Sequence, residues 1–198
     1  VLERLLANWV SVGSAGTLHI DVVDPYPAGP GHVWQPGQSR LYLMNTQSFY
    51  PTVVPEDPEL APPLAGHTFD QWRELQQARP HPSLTDEERA EVARLGAADF
   101  PSRALYGRYL RSTLEDLLTV LPAGVSVDFH PATAASVRHA AAVPAEVPAD
   151  PAAGQAEIAE PEEAAMQKEP PVRFDVVLDD GTVLTVDSVV LAVGHLDA

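Results

Sequence analysis

The sequence has no cysteine and few basic residues, and each shortage excludes a class of protein. Without cysteine the chain can form no disulfide, thiolate zinc site or cysteine nucleophile, and a cytoplasmic location is the default expectation. Twelve lysines and arginines stand against 28 aspartates and glutamates, which gives a net charge of −16. We therefore expect neither nucleic acid nor an anionic membrane as a partner, because both require basic residues that meet phosphate.

Long apolar runs are also missing. No stretch reaches the roughly 18–20 apolar residues of a membrane span, and the N-terminus lacks the basic and apolar regions of a signal peptide. With 198 residues, of which 45% are hydrophobic, the chain has enough apolar surface for one well-packed domain with room for an insertion. A small molecule is the class of substrate that we expect.

Hydrophobic spacing predicts four helices. The first begins at Val1 with no capping residue before it, which is typical of a chain cut at that helix. In the third, Thr85 is the expected N-cap and Glu88 completes a capping box. Ser102 is the expected cap of the fourth, which Pro122 stops. The four predicted helical stretches are 1–10, 68–78, 81–96 and 100–122.

Strand patterns alternate with these helices. The run from Leu18 to Asp24 has few polar positions, which favours a central parallel strand that is buried on both faces. An Asp-Asp-Gly turn at 179–181 predicts a hairpin. The order of helices and strands predicts an α/β, Rossmann-like fold with a central parallel sheet, a β-hairpin addition and a helical insertion. The remaining predicted strands are 124–130, 133–140 and the apolar run 188–194.

Residues 140–171 differ in composition from the rest of the chain. This stretch contains eleven alanines, six prolines and seven acids against one lysine, with no aromatic residue. Such a composition cannot bury enough apolar surface to fold by itself. We therefore predict one domain over residues 1–198 that carries a disordered or weakly helical insertion at 140–171.

Asp24 is the first candidate ligand. A carboxylate at the carboxyl end of the second strand of a dinucleotide-binding fold accepts hydrogen bonds from a ribose diol. Aspartate also ends strands simply because turns favour it. The same acid occurs in folds that bind S-adenosylmethionine, so its position does not choose the cofactor. A ribose ligand and an acid that closes a strand both remain open here.

Three further segments could meet a ligand. A glycine at the end of a buried strand, Gly194, lets backbone approach closely. The loop after Asp24 carries a large aromatic residue, and a conjugated ring needs such flat apolar partners; the alternative is a surface loop pinned by Trp34 and Leu43. Arg103 begins a helix and can receive an anion there. The loop residues proposed for the ring are Trp34, Met44, Asn45 and Thr46.

Other chemistries have little support in the sequence. His130, His139 and His195 are single residues in different predicted elements, and none has a second ligand at helical spacing, so we predict no metal site. No Gly-x-Ser-x-Gly elbow is present, and neither Ser102 nor Ser188 has an identifiable base. The pattern is therefore not that of a hydrolase.

Taken in order, the segments resemble one family. They resemble the FAD/NAD(P)-binding proteins of the two-dinucleotide-fold flavoprotein type, as found in actinobacteria, and are similar in plan to flavin-dependent N-hydroxylating monooxygenases. The specific matches are DPYPAGPGHVW and FPSRALYGRYLR. The resemblance implies FAD as the cofactor and NAD(P)H as co-substrate. It also implies a glycine-rich phosphate loop just before VLERLL, so the first strand and that loop are expected to lie upstream of Val1.

The resemblance implies roles for particular residues. Asp24, followed by Pro25, matches the acid on the adenosine ribose of FAD. Ala134 matches a small residue whose backbone meets adenine, and the role of Arg103 is left open. Near the flavin it implies the loop residues Trp34, Met44, Asn45 and Thr46, and near its phosphates the strand end Ala192, Val193 and Gly194.

Three functions follow from these patterns. The first is the FAD-binding portion of a flavin-dependent oxidoreductase, in which the flavin carries the redox chemistry and no residue is assigned as a catalytic acid or base. The second is a methyltransferase-like fold with the same strand-end acid. The third is a non-catalytic scaffold that keeps the flavoprotein fold, since fold alone does not separate an enzyme from an inactive relative.

Overall fold

The computed structural model describes the chain in two compact units, Val1–Thr133 and Ala134–Ala198. It combines helices with both parallel and antiparallel strands, as expected of an α/β protein. The predicted insertion falls almost entirely on residues 141–171, which lie outside the described part. The residues that the structure describes are 1–13, 16–50, 52–55, 57, 59, 61–140 and 172–192.

Four helices form in the first unit, close to their predicted positions. Each of the last three begins at a side-chain cap: Thr68 and Thr85 form capping boxes with Gln71 and Glu88, and Ser102 Oγ accepts from Leu105 N at 3.0 Å. These caps satisfy amide groups that have no partner within the helix. The helices are α1 Leu2–Ser11, α2 Phe69–Ala78, α3 Asp86–Arg94 and α4 Arg103–Thr119.

The first helix has no side-chain cap and is held instead through an acid in its first turn. Val1 is its N-cap residue, and no side chain bonds there. The buried Glu3 carboxylate accepts a hydrogen bond from Leu64 N at 3.0 Å and pairs with Arg4. Burial raises the pKa of Glu3, but the hydrogen bonds from Arg4 and Leu64 outweigh it, so this pKa lies below its ordinary value.

The core of the first unit is an aromatic cluster between α2 and α4. Phe69 and Trp72 on α2 contact Tyr106 and Tyr109 on α4, with ring centroids 5.3 to 5.8 Å apart. Such edge and offset contacts add about 0.5–1.5 kcal/mol per pair beyond the area that is buried. The aliphatic residues that complete this cluster are Leu84, Val92, Leu95, Leu105 and Leu110.

Two parallel strands accompany the helices, β1 Leu18–Val23 and β2 Val125–His130. Their register pairs Leu18 with Val125 and His19 with Ser126, so apolar residues share one face and, apart from Val23, polar residues share the other. Parallel pairing was predicted, but the described residues do not enclose both faces of β1, since the His19 side chain is 51% exposed. The alternation of apolar and polar residues in LHID explains this difference.

The described part of the second unit contains an antiparallel sheet of three strands that lie side by side in chain order. The hairpin around Gly181 forms as predicted, with φ +89° at that glycine. The prediction of a strand from residue 188 is wrong for 188–192, which form no regular structure. A central strand needs ladder partners, and the described residues provide none for this stretch. The strands are β3 Ala134–His139, β4 Phe174–Leu178 and β5 Val183–Val186.

The described helices, α1 to α4, are 9 to 17 residues long. Among them, none has both the length and the apolar character needed to cross a bilayer.

Candidate functional site

Asp24 lies at the carboxyl end of β1, where its amide donates to His130 O at 3.1 Å. Its Oδ1 atom accepts a hydrogen bond from Tyr26 N at 2.8 Å, which closes an Asx turn. The loop then returns, and a Cβ placed on Gly31 would lie 3.7 Å from Asp24 Oδ2. Oδ1 therefore forms the turn, and Oδ2 lies beside Gly31, which has no side chain.

The loop that follows Asp24 is pressed against helix α4 at two glycines. A Cβ on Gly29 would lie 3.1 Å from Arg111 Cα, and Gly29 has φ +94°, a backbone conformation that favours glycine. On the helix side, a Cβ on Gly107 would lie only 1.7 Å from Trp34 O. The loop therefore lies in close backbone contact with the helix at these two positions.

Trp34 is anchored on the aromatic core. Its ring meets that of Tyr106 edge to face, with centroids 5.6 Å apart, and both Trp34 and Met44 pack against the core cluster. Burial, together with the neighbouring Tyr109, raises the pKa of Tyr106 to about 12. Burial also raises the pKa of Tyr109, against hydrogen bonds from Thr52, Val53 and Thr113. The ring of Trp34 therefore lies on an apolar, desolvated surface.

The far end of the loop is fixed to the start of α4. Met44 N donates to Pro101 O at 2.8 Å, and Arg103 N donates to Tyr42 O at 2.7 Å, which makes an isolated antiparallel bridge between Leu43 and Ser102. The Arg103 side chain is exposed and donates from Nε to Leu43 O at 3.3 Å. Among the described residues 40–45, extended pairing is limited to this one bridge.

A buried acid that sequence reasoning missed supports this junction. Glu91 on α3 accepts hydrogen bonds from Ser102 N at 2.8 Å and Ser102 Oγ at 2.9 Å. Arg40 from the loop also donates to the Glu91 carboxylate. The sequence carried no signal for its burial, because the residues three and four positions before it, Glu88 and Glu87, are themselves acids.

Seven of the predicted site residues belong to the first unit. Asp24 and Pro25 begin the loop, Trp34 and Met44 anchor it, and the other three lie at its end or at the start of α4. Ala134 and Ala192 belong to the second unit, and Val193 and Gly194 lie outside the described residues. The three at the loop end and helix start are Asn45, which is exposed, Thr46, which is half-buried, and Arg103, which is exposed.

Next to the bridge, the loop presents apolar side chains to solvent. Leu41 is 88% exposed, and its neighbours Tyr42 and Leu43 are more than half exposed. The expected alternative of a surface loop pinned by Trp34 and Leu43 holds for Trp34 but not for Leu43. Apolar residues held in place by backbone hydrogen bonds can contact a flat ring or another protein segment.

Comparison with known families bears on the choice between flavin binding and a methyltransferase-like fold. The profile of a family described as FAD-NAD(P)-binding matches residues 1–159. The chain belongs to the FAD/NAD(P)-binding family. This membership confirms the resemblance found in the sequence and favours FAD and NAD(P) over the alternative of a methyltransferase-like fold.

Three relatives of this FAD/NAD(P)-binding chain are informative. Two proteins named L-aspartate N-monooxygenase (nitrosuccinate-forming), from Streptomyces cremeus and Streptomyces davaonensis, are 34% and 32% identical over the whole chain. A nitrosuccinic acid synthase of Aspergillus oryzae is 33% identical over 69% of the chain. The chain spans 27%, 28% and 19% of the length of these relatives.

The residues of the first unit fit an FAD adenosine. A ribose diol offers two hydroxyl donors, and among the described residues Asp24 accepts a hydrogen bond on Oδ1 alone. The absence of a side chain on Gly31 leaves room beside Oδ2. The strand-end acid and Gly31 together therefore provide a hydrogen-bond acceptor with space beside it.

Proposed function

We propose that this chain forms the FAD-binding portion of a flavin-dependent, NAD(P)H-linked monooxygenase that hydroxylates the amino nitrogen of a small acidic amino acid. The observation that carries the proposal is similarity over the full chain, at 34% identity, to a protein named L-aspartate N-monooxygenase. Family membership over residues 1–159 supports the cofactor. The acidic amino acid is taken from the names of the relatives.

In this proposal Asp24 accepts hydrogen bonds from the ribose of the FAD adenosine. Its turn with Tyr26 N fixes the carboxylate before the cofactor arrives, so little side-chain entropy remains to be lost on binding. Pro25 directs the chain away from the strand and into the loop. We assign to β1 and β2 a place in a larger parallel sheet of Rossmann type, at whose carboxyl edge the dinucleotide lies.

The loop anchored on α4 is assigned to the flavin ring. When bound, FAD supplies the redox chemistry. Trp34 and Met44 hold the loop against the core, and the backbone bonds of Tyr42 and Met44 fix its end. The exposed apolar residues then cover the ring and exclude water. The other residues assigned to the cofactor are Asn45, Thr46, Arg103, Ala134, Ala192, Val193 and Gly194.

The test is FAD affinity in the complete protein that contains this sequence. Asp24→Asn keeps an Oδ1 acceptor for Tyr26 N and removes the charge. Hydrogen bonds to a charged group are worth about 1.5–3 kcal/mol, so we expect FAD to bind roughly 10- to 100-fold more weakly in this variant. Release of bound flavin, followed by its absorbance after gel filtration, measures the effect.

The matched control is Asp116→Asn, which removes an exposed carboxylate from α4 and should leave FAD affinity unchanged. Retention of FAD by Asp24→Asn at the parent affinity would contradict the assignment of Asp24. A protein that binds no flavin at all would contradict the proposed function. Bound flavin that NAD(P)H fails to reduce would favour the scaffold hypothesis over the monooxygenase.

A further inference from the structure

One face of the parallel pair β1–β2 is polar, although parallel strands are ordinarily apolar on both faces. The register places Leu18, Ile20 and Val22 beside the apolar residues of β2. The opposite face carries two imidazoles, two carboxylates and a hydroxyl. These five residues are His19, Asp21, Ser126, Asp128 and His130.

Three of these side chains converge. His19 Nε2 lies 3.4 Å from Asp21 Oδ1 and 3.6 Å from Asp128 Oδ2, and one ligand atom from each lies within 4.8 Å of the other two. Zinc bonds of about 2.1 Å at tetrahedral angles separate ligand atoms by about 3.4 Å. The two separations that involve His19, 3.4 and 3.6 Å, are close to that spacing.

The other two polar residues orient the first three. His19 Nδ1 hydrogen-bonds to Ser126 Oγ at 2.8 Å, and a partner on one ring nitrogen fixes which nitrogen remains for a metal. His130 Nε2 lies 2.7 Å from Asp21 Oδ1, so this imidazole holds the Asp21 carboxylate in place. Outer partners of this kind accompany metal ligands in proteins.

We propose that this polar face binds a divalent transition-metal ion, with zinc as the reference case. His19, Asp21 and Asp128 are the three ligands, and a fourth position remains open to water. The charges agree, since two carboxylates and a neutral imidazole neutralise a divalent cation. The cation also offsets the repulsion between the paired Asp21 and Asp128 carboxylates, which destabilises the strand pair when uncompensated.

Exposure gives the ion a route to the site. The side chains of His19 and Asp128 are 51% and 67% exposed, whereas Asp21 at 15% lies at the base of the cluster. An open site with nitrogen and oxygen ligands suits zinc and its neighbours better than calcium or magnesium, which prefer oxygen alone. The proposal is independent of the proposed flavin function, because none of these residues is assigned to FAD.

The experiment is a calorimetric titration of zinc chloride into the complete protein that contains this sequence, after removal of any histidine tag. We expect His19→Ala and Asp128→Asn each to weaken zinc binding at this site at least tenfold. His81→Ala is the matched control, because His81 also bonds through Nδ1 to a serine, Ser83, at 2.7 Å but lies outside the cluster. It should bind zinc like the parent.

A second measurement, of thermal unfolding, distinguishes loss of the zinc site from loss of folding in the variants. Zinc should raise the unfolding temperature of the parent and of His81→Ala, because a ligand of the folded state stabilises it, and this rise should disappear in Asp128→Asn. His130→Gln keeps an N–H donor for Asp21 and should retain most of the affinity, whereas His130→Leu should lose it. Equal zinc binding and equal thermal shifts in the parent, His19→Ala and Asp128→Asn would overturn the proposal.

Discussion

The carbonyl oxygen of Trp34 lies where a side chain at residue 107 would have to be. A Cβ on Gly107 would approach it to 1.7 Å, far inside van der Waals contact. Gly107 stands in the middle of α4, a position at which glycine ordinarily weakens a helix. Close passage of the loop is therefore the reason for glycine at this position.

Replacement of Gly107 by alanine should reverse the usual effect of that substitution. In a helix with free space at that position, a Gly→Ala substitution stabilises by about 0.5–1 kcal/mol. At Gly107 the added methyl group displaces the Trp34 backbone, and overpacking of this kind costs about 1–3 kcal/mol. We expect a lower midpoint of thermal unfolding and weaker FAD binding, because Trp34 anchors the loop. Differential scanning calorimetry and flavin release measure these effects.

Gly37→Ala is the control for that prediction. Gly37 belongs to the same loop, and a Cβ there meets nothing within 4 Å. Its unfolding midpoint should equal or exceed that of the parent. Equal behaviour of the two alanine variants would show that the loop does not depend on its approach to α4.

The buried carboxylate of Glu91 predicts a second effect on stability. Glu91→Gln keeps the shape of the side chain but removes the charge that accepts from Ser102 and Arg40. Hydrogen bonds with a charged partner contribute about 1.5–3 kcal/mol, and we expect a destabilisation of that order by chemical denaturation. Glu87→Gln is the control, since the Glu87 side chain is 83% exposed and lies 3.5 Å from the same arginine. A loss of stability as large in Glu87→Gln would contradict a special role for Glu91.

The raised pKa of Tyr106 predicts a loss of stability in alkaline solution. Its pKa is about 12 in the folded chain against about 10 for an unfolded tyrosine. Because the pKa is higher in the folded chain, the contribution of neutral Tyr106 to the free energy of unfolding is complete below pH ~10. This contribution is lost as the pH rises toward 12. Thermal unfolding followed across this range should show a steeper decline in the parent than in Tyr106→Phe. Identical pH profiles would mean that the Tyr106 hydroxyl is not desolvated in the folded protein.

Local patterns in the sequence predicted most of the regular structure. The capping box of Thr85 and Glu88 and the cap at Ser102 were correct, because such caps depend on residues three apart in the chain. The Asp-Asp-Gly turn was correct for the same reason. The strand predicted from Ser188 was wrong over 188–192, because a strand depends on ladder partners that its own sequence does not specify.

Residues of the candidate site were predictable from the sequence only where the residue type and its position in an element indicated a ligand. Asp24 was identified from its position after a strand, and the structure adds the turn with Tyr26. The polar cluster on β1–β2 was missed because its ligands are brought together by strand register. His19 and Asp128 are 109 residues apart in the chain, so spacing along the sequence does not reveal that they lie together. Glu91 was missed because its partners come from the loop and from the next helix.

The attachments of the loop also bear on how the chain folds. The Tyr109 hydroxyl donates to His67 O at 2.8 Å, and Ser48 N donates to Asp99 O at 2.9 Å. Each of these hydrogen bonds joins residues more than forty positions apart in the chain. Contacts between residues far apart in the chain slow folding, because the entropy cost of closing the loop precedes the stabilisation that the contact gives. We therefore expect the loop that follows Asp24 to become ordered later than helix α4, and limited proteolysis should cut this loop before it cuts the helix.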